Sequence, residues 1–173
     1  MACEQTSDLR ALEGYPVQSL VVDESFVPCP VEDGDEYFAN GIFEFNVTRI
    51  LESIERNPGK FALVHVAVNR IRWGDRSLDE MQVETADVAR PVLLAEIAPG
   101  NYNLIDGHHR VEKAHRSGLE TVQAFALTAA QHVRFLTSTR AYRAYVRYWN
   151  DKVKEQSEAV GDGAGGGAGG RRK

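Results

Sequence analysis

The stretch VLLAEIAPGNYNLIDGHHR, residues 92–110, decides the reading of this chain. Val92 to Ala98 is an apolar, β-prone run, and Pro99-Gly100-Asn101 is a tight-turn signal. Tyr102 to Ile105 then returns antiparallel beside the first strand. A helix follows, starting at Asp106 and running to about Ser117, with Gly118 in the left-handed position beyond its end. The hairpin therefore runs straight into a helix. The chemistry-bearing residues Asp106-Gly107-His108-His109-Arg110 sit on the loop-to-helix turn.

Asp106 reads as an N-cap whose carboxylate accepts the amide hydrogens of His108 or His109. Gly107 allows close approach to the backbone. The first amides of a helix point outward without intrahelical partners, and the helix dipole adds positive potential there. Such a turn is an anion site suited to phosphate. His109 and Arg110 lie in the same first turn. A guanidinium can grip phosphate oxygens through two parallel hydrogen bonds. An imidazole can add a donor, or exchange a proton near neutral pH. The alternative is purely structural: Asp106 caps, His108 packs inward and Arg110 is a solvated charge.

The two histidines do not make a metal site. Adjacent helical residues diverge by about 100°, and His115 lies about 10 Å along the axis from His108. His108 and Glu112 have workable spacing, but two ligands fall short of a typical site.

Working upstream, Ile42 to Val47 alternates, with Phe43, Phe45 and Val47 on one side, and predicts a half-buried strand. Thr48 to Arg56 carries Ile50, Leu51 and Ile54 at helical spacing, and Asn57-Pro58-Gly59 stops it. Phe61 to Val68 is nearly continuous in apolar residues, which predicts a strand covered on both faces with His65 as a core histidine. Ser77-x-x-Glu80 reads as a capping box for a short helix that ends before Pro91. Trp73-Gly74-Asp75 is either a plain loop or the border of a ligand pocket. Downstream, Thr121 to Leu127 is a β-rich run. Ala129 to Leu136 and Thr139 to about Glu155 read as helices, with Thr137 or Ser138 capping the second. Strands and helices mix without regular βαβ alternation, so the class is α+β.

The predicted organisation is an N-terminal extension over residues 1–40, partly loop, then one domain over 41–156, then a disordered tail over 157–173 rich in glycine. At 173 residues, 43% hydrophobic and 26% charged, the chain is long enough for one real core. No apolar run approaches the roughly 20 residues of a membrane helix. Residues 1–10 lack the pattern of a secretory signal. Cys3 and Cys29 have no CxxC spacing, which fits neither a disulfide framework nor a zinc site. A cytoplasmic protein is expected. The net charge is −5, which argues against wholesale nucleic-acid binding. The charge is uneven, at −8 over residues 1–60, −2 over 61–128 and +5 over 129–173.

Ile105 to Arg110, the helix to Gly118, the strand Thr121–Leu127 and the preceding Arg90-Pro91-Val92-Leu93-Leu94-Ala95-Glu96 resemble the ParB/sulfiredoxin-like domain of bacterial proteins over about Phe61 to Leu127. The resemblance implies a mixed sheet with flanking helices and further C-terminal helices. It implies nucleotide binding at the 106–110 turn, as ATP, ADP or CTP, together with Mg²⁺. Partitioning ParB proteins contact CTP phosphates there. Sulfiredoxins bind ATP there and carry their reactive cysteine at the position of His108, so their chemistry does not transfer. The Asp-Gly-His-His-Arg box is most similar to that of ParB-like free-serine kinases.

A nucleotide-dependent phosphotransferase or NTPase is therefore expected. Gly107, His108, His109 and Arg110 would contact phosphate. Asp106 and His109 would be the catalytic residues, acting on a small hydroxyl-bearing acceptor. The kinase relatives also use a glutamate after the first strand, for which Asp75, Asp79, Glu80 and Glu84 are candidates. No helix-turn-helix follows Leu127, and the carboxylate cluster of a two-metal nuclease, a label some relatives carry, is not evident. The alternative function is a DNA- or RNA-binding accessory module. Its contact would be Arg140, Arg143 and Arg147 beside Tyr142, Tyr145 and Trp149. A competing reading places those aromatics in the core.

Overall fold

The structure, a computed structural model, describes residues 17–71 and 77–162. The polar N-terminus, Trp73-Gly74-Asp75 and residues 163–173 lie outside the described residues. The class is α+β. Strands β1 (Tyr37–Asn40) and β2 (Phe43–Asn46) form a hairpin. Helix α1 (Val47–Arg56), β3 (Ala62–Ala67) and α2 (Glu80–Thr85) follow. Then come β4 (Val92–Ala98), β5 (Asn101–Asp106), α3 (His108–Arg116) and β6 (Thr121–Leu127). The chain closes with α4 (Ala129–His132) and a long α5 (Thr139–Asp162).

Four strands make a mixed sheet in the order β3-β6-β4-β5. The β4 and β5 strands are antiparallel, β4 and β6 parallel, and β6 and β3 antiparallel. Both faces of the sheet are covered. Val64, Val66, Leu94, Leu104 and Val122 pack on one face with Val111 and Ala114 of α3. Leu93, Ala95, Ile97 and Leu127 pack on the other with α1, the hairpin, α4 and α5. The central β4 is consequently buried along nearly its whole length. That explains its continuous apolar composition.

The boundaries of β4 and β6 and the left-handed Gly118 (φ 68°) agree with the sequence reading. Several other elements differ from it, each for a local reason. Val47 belongs to α1 and not to the strand, because the Asn46 side chain caps the helix by accepting the Arg49 amide at 3.1 Å. The β3 strand is half-covered: Val64 and Val66 are buried on one face while Leu63, on the other, is 39% exposed. His65 is half-buried, and its Nδ1 lacks a partner among the described residues. Asp79, not Ser77, caps α2 by accepting the Gln82 amide. After Thr128 the predicted helix is a single α turn followed by a 3₁₀ turn over Val133–Phe135. Ser138 caps α5 through the Ala141 amide.

The α5 helix continues past the predicted tail boundary at 157 as far as Asp162. Helix-favouring lysine, glutamate and glutamine carry it, with Lys152–Glu155 and Lys154–Glu158 pairs alongside.

Of the region before residue 41, residues 17–40 are described, and they pack on the rest of the chain. The β1 strand lies in it and pairs with β2 across the predicted boundary at residue 40. Upstream, residues 18–29 run antiparallel along α5 and back to its start. Asn150 bonds both the amide and the carbonyl of Leu20 (2.8 and 2.9 Å). Trp149 Nε1 donates to Gln18, the Asp23 amide donates to Tyr142 Oη, and Phe26 stacks on Tyr142 with ring centres 3.8 Å apart. The Cys29 amide ends the run by donating to Leu136.

The core contains one histidine that carried no signal in the sequence. His132 is fully buried, and its Nε2 lies 2.7 Å from the Glu96 carbonyl oxygen. A carbonyl can only accept, so Nε2 carries the hydrogen and Nδ1 is the bare nitrogen. Nδ1 has no partner among the described residues. Protonating it would bury a charged, unbonded N–H, and burial accordingly lowers the His132 pKa to about 4. Between pH 6.5 and 4 the unfolded chain takes up this proton and the folded chain does not. The stability present above pH 6.5 is thus lost as pH falls through that window. We expect a loss of about 2 kcal/mol between pH 7 and pH 5 from this residue. Burial raises the Glu96 pKa, which gives a slope of opposite sign in the carboxylate range. The His132 share is therefore read as the difference from His132→Gln. Denaturant unfolding at the two pH values should show the acid-side loss in the parent and a flatter response in the variant.

Candidate functional site

The turn between β5 and α3 is shaped by Gly107. It caps α3 in the left-handed region (φ 98°, ψ 24°), with no side chain capping the helix. A Cβ at this position would lie 2.7 Å from Val92 Cγ1 and 2.9 Å from Val92 Cβ. The residue is thus held by both conformation and space. This corrects the predicted capping role of Asp106, which is instead the last residue of β5. Its carboxylate pairs forward with Arg110 and does not cap the helix: Arg110 Nη2 donates to Asp106 Oδ2 at 2.7 Å.

Arg110 Nη1 donates to the Pro91 carbonyl at 2.6 Å. The guanidinium, 15% exposed, therefore ties the end of β5 to the chain entering β4. It is neither the solvated charge nor the freely offered anion grip that the sequence allowed. His108 lies against Phe38 of β1, with rings nearly parallel (18°) and centres 6.1 Å apart. His109 is half-buried on the same turn.

These five residues line one cleft of about 1050 Å³. The hairpin and α1 form the opposite wall through Glu36, Tyr37, Phe38, Thr48, Glu52 and Glu55. The third side is the segment from Ser77 to Arg90, including Gln82, Thr85 and Asp87. That segment is anchored to α3. Lys113 Nζ donates to the Glu84 and Ala86 carbonyls, both at 2.8 Å, and Arg116 pairs with Glu80.

All of Asp106, Gly107, His108, His109 and Arg110 are brought to this cleft. The candidates for the glutamate that the sequence resemblance implies are not. Asp79 caps α2, Glu80 is held by Arg116, and neither these nor Glu84 lines the cleft. Asp75 is outside the described residues. The carboxylates that do reach the cleft besides Asp106 are Glu36, Glu52, Glu55 and Asp87. Glu52 is engaged by Arg49 (3.1 Å) and Arg56 (2.7 Å). Sequence reading missed this wall. The signal available was the polar face of α1, opposite Ile50 and Ile54.

Among the described residues no group of three or more His, Cys, Asp or Glu side chains could hold a metal ion. No helix among them is long and apolar enough to cross a membrane. On α5, Tyr142, Tyr145 and Trp149 are buried in the core while Arg140, Arg143 and Arg147 are exposed, and Arg143 pairs with Glu24. Those three aromatics are therefore not available beside the basic stripe. Comparison of the chain with protein-family models, with curated proteins and with solved structures finds no match.

Proposed function

We propose that this chain is a nucleotide-binding protein of the ParB/sulfiredoxin-like type, acting as a nucleotide-dependent phosphotransferase or NTPase. The observation that supports this most is the opening of the Gly107 turn into the 1050 Å³ cleft. A helix start without a side-chain cap presents backbone donors and positive potential to an anion. The cleft volume suits a nucleotide. The sequence resemblance over residues 61–127 points the same way.

In this reading the backbone at Gly107 and His108 and the side chain of His109 meet phosphate. Arg110 keeps the turn in shape. Arg110 engages one carboxylate oxygen of Asp106. The other oxygen can accept the hydrogen bond of an acceptor hydroxyl and take its proton. The described side chains do not fit a resident metal centre. Mg²⁺ would arrive on the phosphates, needing one or two protein carboxylates, and would offset developing charge.

Calorimetric titration with ATP, ADP, CTP and GTP, with and without Mg²⁺, tests the proposal. We expect one nucleotide to bind with a dissociation constant of about micromolar order, and His109→Ala to weaken it about tenfold. Absence of binding by all four would reduce the turn to a structural element.

A further inference from the structure

We infer that Arg90 is the guanidinium that closes on the ligand's phosphate, with Arg110 a positioning residue behind it. The inference rests on the phosphate-binding reading of the cleft.

Both arginines line the cleft, but their surroundings differ. Arg110 is fixed by two short bonds, to Pro91 O at 2.6 Å and to Asp106 Oδ2 at 2.7 Å, and it is 15% exposed. Its charge is matched by a carboxylate within the protein. Moving it onto a ligand would leave that carboxylate and the Pro91 carbonyl without their donor.

Arg90 is exposed and forms no ion pair with a described residue. It precedes Pro91, the residue whose carbonyl Arg110 holds, and Val92, the residue that seats against Gly107. Its backbone is therefore tied to the α3 turn at two successive positions. The local chain is ordered too: the Asp87 carboxylate accepts the Ala89 amide at 3.0 Å, and the Arg90 amide donates to Asp87 O at 3.2 Å. A long cationic side chain thus stands on a fixed base at the edge of the cleft. A guanidinium there can add two charge-assisted hydrogen bonds to a phosphate already facing the helix start.

The cleft's charge makes this cation matter. Glu36, Glu52, Glu55, Asp87 and Asp106 all line it. Against that field a polyphosphate needs a cation that no described carboxylate already holds, and Arg90 is such a cation.

The test is titration of the full chain with ATP and with inorganic triphosphate, each with and without Mg²⁺, for the parent, Arg90→Gln and Arg90→Lys. Thermal unfolding is recorded alongside. We expect Arg90→Gln to bind both ligands about 10- to 100-fold more weakly, with an unchanged melting temperature. Arg90→Lys should recover part of the affinity, because a point charge replaces a two-pronged contact. The dependence of affinity on salt should also become shallower in Arg90→Gln. Equal affinity of parent and Arg90→Gln for both ligands would overturn the assignment while leaving the site standing. Where the parent binds ADP, CTP or GTP and not ATP, that nucleotide takes the place of ATP in the comparison; a parent that binds none of the four nucleotides and no triphosphate would overturn the site and the assignment together.

Discussion

Gly107→Ala should destabilise the protein by about 2 to 4 kcal/mol and abolish the ligand binding proposed for the α3 turn. Two costs combine. An L-residue in the left-handed region costs roughly 1 to 2 kcal/mol. The new methyl would also meet Val92 Cγ1 at 2.7 Å and Val92 Cβ at 2.9 Å. Overpacking of this kind typically costs about 1 to 3 kcal/mol, and Val92, 1% exposed in the central strand, has little room to yield. A double-mutant cycle separates the two costs. Val92→Ala removes Cγ1 but leaves Cβ and the backbone conformation. The double variant should therefore be less destabilised than the sum of the single variants, by about 1 kcal/mol, and still below the parent. Strict additivity in denaturant unfolding would show that the contact with Val92 is not what excludes a side chain.

Asn46→Ala should cost about 3 kcal/mol, although the residue lies outside the large apolar clusters. Asn46 is wholly buried and uses both ends of its amide. The oxygen accepts the Arg49 amide at 3.1 Å and so starts α1. The nitrogen donates to Pro30 O at 3.0 Å and to Asp35 Oδ2 at 2.7 Å. Removing it forfeits a helix cap, at about 1 kcal/mol, and the two hydrogen bonds that the amide nitrogen donates, at about 1 kcal/mol each. The Asn46 hydrogen bond is also the main reason the Asp35 pKa is lowered. A lowered carboxylate contributes stability above its unfolded value and loses it as pH falls through the folded value. In Asn46→Ala that part of the acid-side loss should shrink. Asn46→Asp is the informative control. It keeps the cap acceptor but sets a carboxylate against Asp35, so it should also destabilise. If alanine and parent unfold at the same denaturant concentration, the amide has no such role.

These two residues show what a sequence can and cannot disclose. Gly107 was legible as a site of close approach, because an Asp-Gly pair after a strand and before a helix has few other uses. Its role as the cap was not, since Asp106 is the better capping residue by type. What displaced it was Arg110, four residues on, which reaches back for the carboxylate and for a carbonyl beyond the turn. Asn46 looked like the outward residue of an alternating strand. Its inward role depends on Pro30 and Asp35, and no local pattern links those positions. The strands β4 and β6 could be bounded from composition because both are central and apolar. The β3 strand misled for the same reason: an apolar run does not say whether a neighbour covers its second face. Of the cleft lining, the residues of the α3 turn could be named from the sequence, although the bonds that Asp106 and Arg110 make could not. Those of α1 and the hairpin could not be named, because they are joined to the turn by tertiary packing alone.

The strap formed by residues 18–29 has a consequence for how the molecule is made. Synthesis runs from the N-terminus, so Leu20 emerges 130 residues before Asn150, to which both its backbone groups bond. Until the last helix has cleared the ribosome, the strap has nothing to lie on. Val17, Leu20 and Phe26, which pack against the core in the finished protein, must wait in the nascent chain. The closing contact joins Leu20 to Asn150, a pairing of high sequence separation that is slow to find. A chain that stopped short of Trp149 and Asn150 would therefore leave residues 18–20 without the side chains that hold them.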